Sequence, residues 1–179
     1  NRVQEALQKL EAFPDNHLTW HLIGHLQTNK AKHAVEHFDL IHSIDSEHLL
    51  KAVDKEAGKI GKVQDILLQV NVAREESKFG TTVEETVWLA EQISKLPGVH
   101  IQGLMTIAPF VEDPEENRLV FRKLKQLSVD IEHKNIDNVS MSVLSMGMTG
   151  DYQVAVEEGA TYVRVGTAIF GERDYSVSV

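Results

Sequence analysis

LSMGMTGDYQVAVEEGATYVRVGTAIFG, residues 144–171, is the stretch that decides the fold. It reads as a strand, a glycine turn, a short helix, a second strand and a second glycine loop. Leu144, Met146 and Met148 flank a turn at Gly147 that has almost no side-chain bulk. Arg164 follows Gly147 by 17 residues and precedes Gly166, Thr167 and Gly171. Two glycine loops at the ends of successive parallel strands turn backbone N–H groups toward one anion. An arginine at the end of the second strand sets a permanent cation beside them. A ligand with a phosphate and a second polar feature suits that geometry.

Outward from this stretch the chain alternates. Strand-like runs occupy 20–26, 40–44, 66–72, 101–107, 143–146 and 162–170, and helical stretches occupy 30–35, 47–57, 83–96, 115–131 and 151–158. Asn1 opens directly onto another helical pattern at Val3, Leu7 and Leu10. The helices rest on apolar spacing at Val83, Val87, Ala90 and Ile93, and at Leu119, Phe121, Leu124 and Leu127. Thr82-Val-Glu-Glu has the form of a capping box, and Gly58, Gly98 and Gly159 stand where helices should stop. Alternating β and α units predict a parallel sheet with crossover helices. A doubly wound dinucleotide fold would show G-x-G-x-x-G after its first strand, and this chain has none. A (β/α)8 TIM barrel carries its site at the strand C-termini, with phosphate held by the loops after its last two strands. The barrel is therefore the predicted fold, as a single partial domain over residues 1–179. Six strands are visible where a barrel has eight in ~250 residues, so the first two strands are expected upstream of Asn1.

Composition narrows the function. The 179 residues are 42% apolar and 25% charged, which places the chain with soluble globular domains. A net charge of −9 argues against a nucleic-acid partner, which needs a basic face. No apolar run reaches the ~20 residues of a membrane span. Cysteine is absent, which removes disulfides and thiol chemistry and fits a cytoplasmic location.

In the last strand, alternation puts Tyr162, Arg164 and Gly166 on one face and Val163 and Val165 on the other. Arg164 then points into the barrel mouth, as a structural ion pair with a carboxylate such as Asp151 or as a contact to a ligand. Arginine only donates hydrogen bonds, so an unprotonated ring nitrogen would suit it. Ser145 and Thr167 offer hydroxyl donors to a phosphate, while Gly147 and Gly166 permit close approach of the chain. The stretch WHLIGHLQ from Trp20 puts His21 and His25 about 13 Å apart on an ideal strand, too far for one metal ion. His33 and His37 have metal-clip spacing on a helix, but no carboxylate or cysteine completes a site in sequence, and a solvated face is expected. Asn71 falls at a strand end and Lys78 in the following loop, where a lysine is normally solvated. Met105 reads as wall. No metal site is expected.

The chain resembles the pyridoxal phosphate homeostasis proteins. The matching pieces are Asn1-Arg2, which is the end of a Gly-Glu-Asn-Arg motif, WHLIGHLQTNKAK from Trp20, HSID from His42 and QVNVAREESKFG from Gln69. GLMTIAP from Gly103, LSMGMTGD from Leu144 and EEGATYVRVGTAIFG from Glu157 complete the set. Leu22 stands where the family more often has Phe or Met. The resemblance implies a barrel of the alanine racemase N-terminal-domain type that binds pyridoxal 5′-phosphate (PLP). Those racemases share Arg-x-Gly followed five residues later by Gly, matched here by Arg164, Gly166 and Gly171. Carried over, Arg164 faces the pyridine nitrogen; Ser145, Gly166 and Thr167, with the backbone at Met146 and Gly147, hold the phosphate; Asn1 and His21 line the mouth. The family's Schiff-base lysine lies upstream of the Gly-Glu-Asn-Arg motif. No residue here inherits that role, so no catalytic residue is assigned and no stable lysine adduct is expected.

The resemblance also implies a non-catalytic PLP carrier and regulator, monomeric at full length, with PLP-dependent apoenzymes as recipients. An arginine at the ring nitrogen weakens the electron sink relative to an Asp partner. Two alternatives stand beside it. One is a racemase-like amino-acid enzyme using Tyr152 or Tyr162 as acid/base. The other is a phosphate-sensing or protein-interaction scaffold without PLP.

Overall fold

The computed structural model describes residues 1–13, 17–75 and 78–172. Glu76 and Ser77 of the QVNVAREESKFG motif fall outside these. Helix α1 (Val3–Ala12) opens the chain, followed by β1 (His21–Leu22), α2 (Ala31–His37) and β2 (Leu40–Ile44). Next come α3 (Glu47–Lys59), β3 (Gln64–Gln69), α4 (Val83–Gln92), β4 (Val99–Met105) and α5 (Arg118–Glu132). The chain continues through β5 (Val139–Met148), α6 (Tyr152–Glu157), β6 (Tyr162–Arg164) and α7 (Thr167–Phe170). No described helix is long and apolar enough to cross a membrane.

The six strands are parallel and lie in the order of the sequence. A doubly wound sheet reverses its order midway; this one does not. The sheet is also curled. In a flat sheet, β2 and β5 would lie about 14 Å apart and β1 and β6 about 24 Å. Yet His42 on β2 lies 2.9 Å from Ser145 on β5, and the His21 and Tyr162 rings from the two outer strands are 5.4 Å apart. The observed architecture is a parallel half-barrel of six strands.

Both faces of β2 are buried, which is why it reads as a continuous run rather than an alternating one, whereas the edge strand β6 leaves Tyr162 and Val163 exposed. Ile41, Ile66, Leu68, Ile101, Leu104, Leu144 and Met146 pack against the helices in one large core. Leu40, Leu67, Met105 and Val143 form a separate cluster on the concave face, so Met105 is wall as expected. Thr82 caps α4 with a complete capping box through Glu85. That helix ends at Gln92 and tightens into a 3-10 turn, Ile93–Lys95.

Several boundaries differ from the sequence reading. The strand read at 20–26 survives only as His21–Leu22, because Gly24 turns beneath the carbonyl of Asn1 and His25 swings to Asp45. The strand read at 162–170 stops at Arg164, and Thr167–Phe170 is a helical turn. Helix α3 runs past Gly58 to Lys59, and the turn uses Gly61 at φ 67°. Leu119 is exposed, so the buried stripe of α5 is Phe121, Leu124, Leu127 and Ile131.

Candidate functional site

Alternation along the strands stacks a polar layer on the concave apolar cluster. His42 is two residues beyond Leu40, Ser145 two beyond Val143 and Arg164 two beyond Tyr162, so each shares a strand face with its predecessor. His21 joins them from β1, and the curl of the sheet closes them into one chain. Arg164 Nη1 donates to Ser145 Oγ at 2.6 Å, and Nη2 donates to the Thr106 carbonyl at 2.7 Å. Ser145 Oγ lies 2.9 Å from His42 Nδ1, and His42 Nε2 lies 3.1 Å from His21 Nδ1. The Tyr162 ring meets His21 edge-on. Ser145 is fully buried and His42 nearly so.

Burial governs the electrostatics here. It lowers the His42 pKa to about 3, helped by the neighbouring His21 and Arg164, so the ring is neutral at physiological pH. Burial lowers His21 too, against the opposing charge of Asp39. Arg164 is pushed down to about 10 by burial, with Asp151 acting in the other direction, and so stays charged. Among the described residues, no carboxylate lies within ion-pair distance of this guanidinium. The bonds to Ser145 and Thr106 use two of the five N–H donors that arginine carries.

Asp151 is not the partner of Arg164 because its oxygens are engaged elsewhere. Oδ1 accepts from the Met148 N–H at 2.7 Å, and Oδ2 accepts from Asn117 Nδ2 at 2.8 Å. Asn117, itself buried, also donates to the Pro109 carbonyl. Together they clamp the turn that follows β5. Gly147, read from sequence as a turn, lies within β5 one residue before its end; it has φ 88°, and a Cβ there would lie 2.5 Å from the Ala155 Cβ, so its own packing demands glycine. Gly166 is different. A Cβ at Gly166 would meet nothing within 4 Å, so the fold leaves open space beside Arg164 and Thr167.

The remaining candidates separate. Asn1 packs its carbonyl over Gly24 near the start of β1. His25 stacks on Phe79 at 3.9 Å and pairs with Asp45 at 3.3 Å, linking the segments after β1, β2 and β3. Burial raises the Asp45 pKa against the opposing effect of His25. Asn71 braces its loop by bonding the backbone of Glu75 in both directions. Lys78 is tied rather than solvated: Nζ donates to the Ala108 carbonyl at 2.9 Å and to Glu75 at 3.2 Å. The sequence reading that no carboxylate joins His33 and His37 is corrected. Glu36 lies on the same exposed turn, with one ligand atom from each residue within 4.8 Å of the others. That carboxylate already pairs with Lys32 and His33.

Sequence reasoning missed His42 and the Thr106 carbonyl as members of the site. A signal for His42 was present, since a histidine inside the otherwise apolar run LIHSI needs a buried polar partner. Nothing in the sequence indicated that the partner lies 103 residues away.

The alanine racemase N-terminal domain family matches residues 1–174. The pyridoxal phosphate homeostasis protein of Aquifex aeolicus strain VF5 is 49% identical over 175 residues, covering 98% of this chain and 76% of that protein. The PLP-bound structure of PipY from Synechococcus elongatus PCC7942 superposes with a TM-score of 0.87 at 41% identity, covering 96% of this chain and 79% of PipY. The alanine racemase of Clostridium difficile 630 shares the fold alone, at 12% identity and a TM-score of 0.79, with 96% of this chain covered and 44% of the racemase.

Proposed function

The chain belongs to the pyridoxal phosphate homeostasis proteins, within the alanine racemase N-terminal domain family, and from that membership we propose that it binds PLP and serves PLP homeostasis. The observation that carries this is Arg164: a half-buried guanidinium with no carboxylate partner among the described residues, two of whose five N–H donors meet Ser145 and Thr106. A buried cation is costly unless an acceptor meets it. A pyridine nitrogen is an acceptor of the right kind, and PLP also supplies an anion for the neighbouring loops.

The residues present fit the cofactor. Arg164 would take the ring nitrogen. The backbone at Met146 and Gly147, with Gly166 and Thr167, would take the phosphate, and the space beyond Gly166 permits close approach. Ser145, expected from sequence to donate to the phosphate, would not do so, because its fully buried hydroxyl already meets Arg164 and His42. His21 and Asn1 would line the mouth from the β1 side. The curl that brings His21 to Tyr162 is what a (β/α)8 barrel requires of six of its strands.

When bound, PLP supplies an electron-withdrawing ring for amino-acid chemistry. Arginine keeps the ring nitrogen unprotonated and so weakens that capacity. The racemases share this arginine, so the reading of a carrier without turnover, handing PLP to PLP-dependent apoenzymes, is supported by the relatives named as homeostasis proteins. Equilibrium dialysis with PLP, followed by deuterium exchange at Cα of alanine, tests both halves. Binding without exchange is expected. Absence of binding overturns the cofactor assignment, and exchange above the PLP-only control overturns the carrier role.

A further inference from the structure

We propose that His42 is the positioning residue of this site: its Nδ1 accepts the Ser145 hydroxyl hydrogen, so Ser145 presents a lone pair to Arg164 and the guanidinium is held aimed at a ligand ring acceptor. The proposal rests on the PLP binding proposed above.

Donor and acceptor roles along the chain follow from the one group whose role is fixed. Arginine has no acceptor atom, so Ser145 Oγ accepts from Arg164 at 2.6 Å. The single hydroxyl hydrogen of Ser145 then needs an acceptor in a fully buried place. Among the described residues, the atom positioned to take it is His42 Nδ1 at 2.9 Å. His42 therefore carries its hydrogen on Nε2 and donates it to His21 Nδ1 at 3.1 Å, which leaves the His21 hydrogen on Nε2. One direction, Arg164 to Ser145 to His42 to His21, satisfies every member.

The opposite polarity does not. With hydrogen on His42 Nδ1, Ser145 Oγ would accept twice and its own hydrogen would be stranded. An imidazolium would strand it in the same way and would set a second cation against Arg164. The other anchor of Arg164, the Thr106 carbonyl at 2.7 Å, is fixed in turn by the Thr106 hydroxyl, which donates to the Val70 carbonyl at 2.7 Å. Two anchors, one just past β4 and one on β5, hold the guanidinium, and His42 decides whether the Ser145 anchor faces the right way.

The test uses long-range proton–nitrogen NMR on the PLP-free protein, together with PLP titrations of wild type, His42→Ala and His42→Asn. An asparagine carbonyl can replace the Nδ1 acceptor; alanine cannot. We expect His42 hydrogenated on Nε2 alone. We expect PLP affinity to fall about tenfold or more in His42→Ala, the equivalent of one aligned charge-assisted hydrogen bond, and to recover to within about threefold in His42→Asn. A His42 hydrogen on Nδ1 overturns the proposal whether or not His42→Ala folds. Equal PLP affinity in wild type and both variants overturns it while leaving the cofactor assignment intact. Failure of wild type to bind PLP removes the cofactor assignment, and the aiming role with it.

Discussion

Acidification should destabilise this fold through His42, by an amount that the site geometry sets. In the unfolded chain His42 titrates at its ordinary 6.5, and in the fold at about 3. Between these values the unfolded chain holds a proton that the folded chain excludes. Stability is therefore fully present above the unfolded value and is lost as pH falls toward the folded one. At about pH 5 the lost stability from this one group comes to about 2 kcal/mol, and near pH 3 to about 4 kcal/mol. His21, lowered by the same burial, acts in the same direction. Urea unfolding at about pH 7.5 and about pH 5, in wild type and His42→Asn, isolates the contribution, because asparagine keeps an acceptor near Nδ1 and cannot titrate. Wild type should lose about 2 kcal/mol more than the variant over that interval. Equal losses in the two proteins would refute the claim that the buried ring is held neutral.

Gly147 and Gly166 should respond oppositely to alanine. Gly147→Ala forces a Cβ into Ala155 at a left-handed φ and should destabilise by about 2–4 kcal/mol in urea unfolding. Gly166→Ala meets open space and should leave stability within about 0.5 kcal/mol while lowering PLP affinity about tenfold; unchanged affinity would remove Gly166 from the cradle. Borohydride reduction with PLP, followed by peptide mapping, should leave Lys78 unmodified, since its ammonium is held by Ala108 and Glu75. An adduct on Lys78 would contradict that.

The order of elements was legible because each βα unit carries its own local signals. Leu40–Ile44 matches the sequence reading residue for residue, since a fully buried parallel strand is a plain apolar run. The Thr82 cap was legible because its partner Glu85 is three residues away. Local signals fail where distant contacts decide. Trp20 to Leu26 alternates like a strand, but the contact between Asn1 and Gly24 and the pairing of His25 with Asp45 break it. The apolar run after Arg164 looks extended and coils instead into Thr167–Phe170. In the site, residue types and spacing pointed to Arg164 and the glycine loops. The link from Arg164 through Ser145 to His42 exists only because the sheet curls, a property that no short window of sequence carries.

A crystal structure of this chain with PLP tests the central claim most directly. The ring nitrogen should lie within hydrogen-bond distance of the Arg164 guanidinium, with the phosphate against Met146–Gly147 and Gly166–Thr167 and the bonds from Arg164 to Ser145 and Thr106 intact. PLP bound away from these residues, or Arg164 turned from the ring to pair with Asp151, would contradict it.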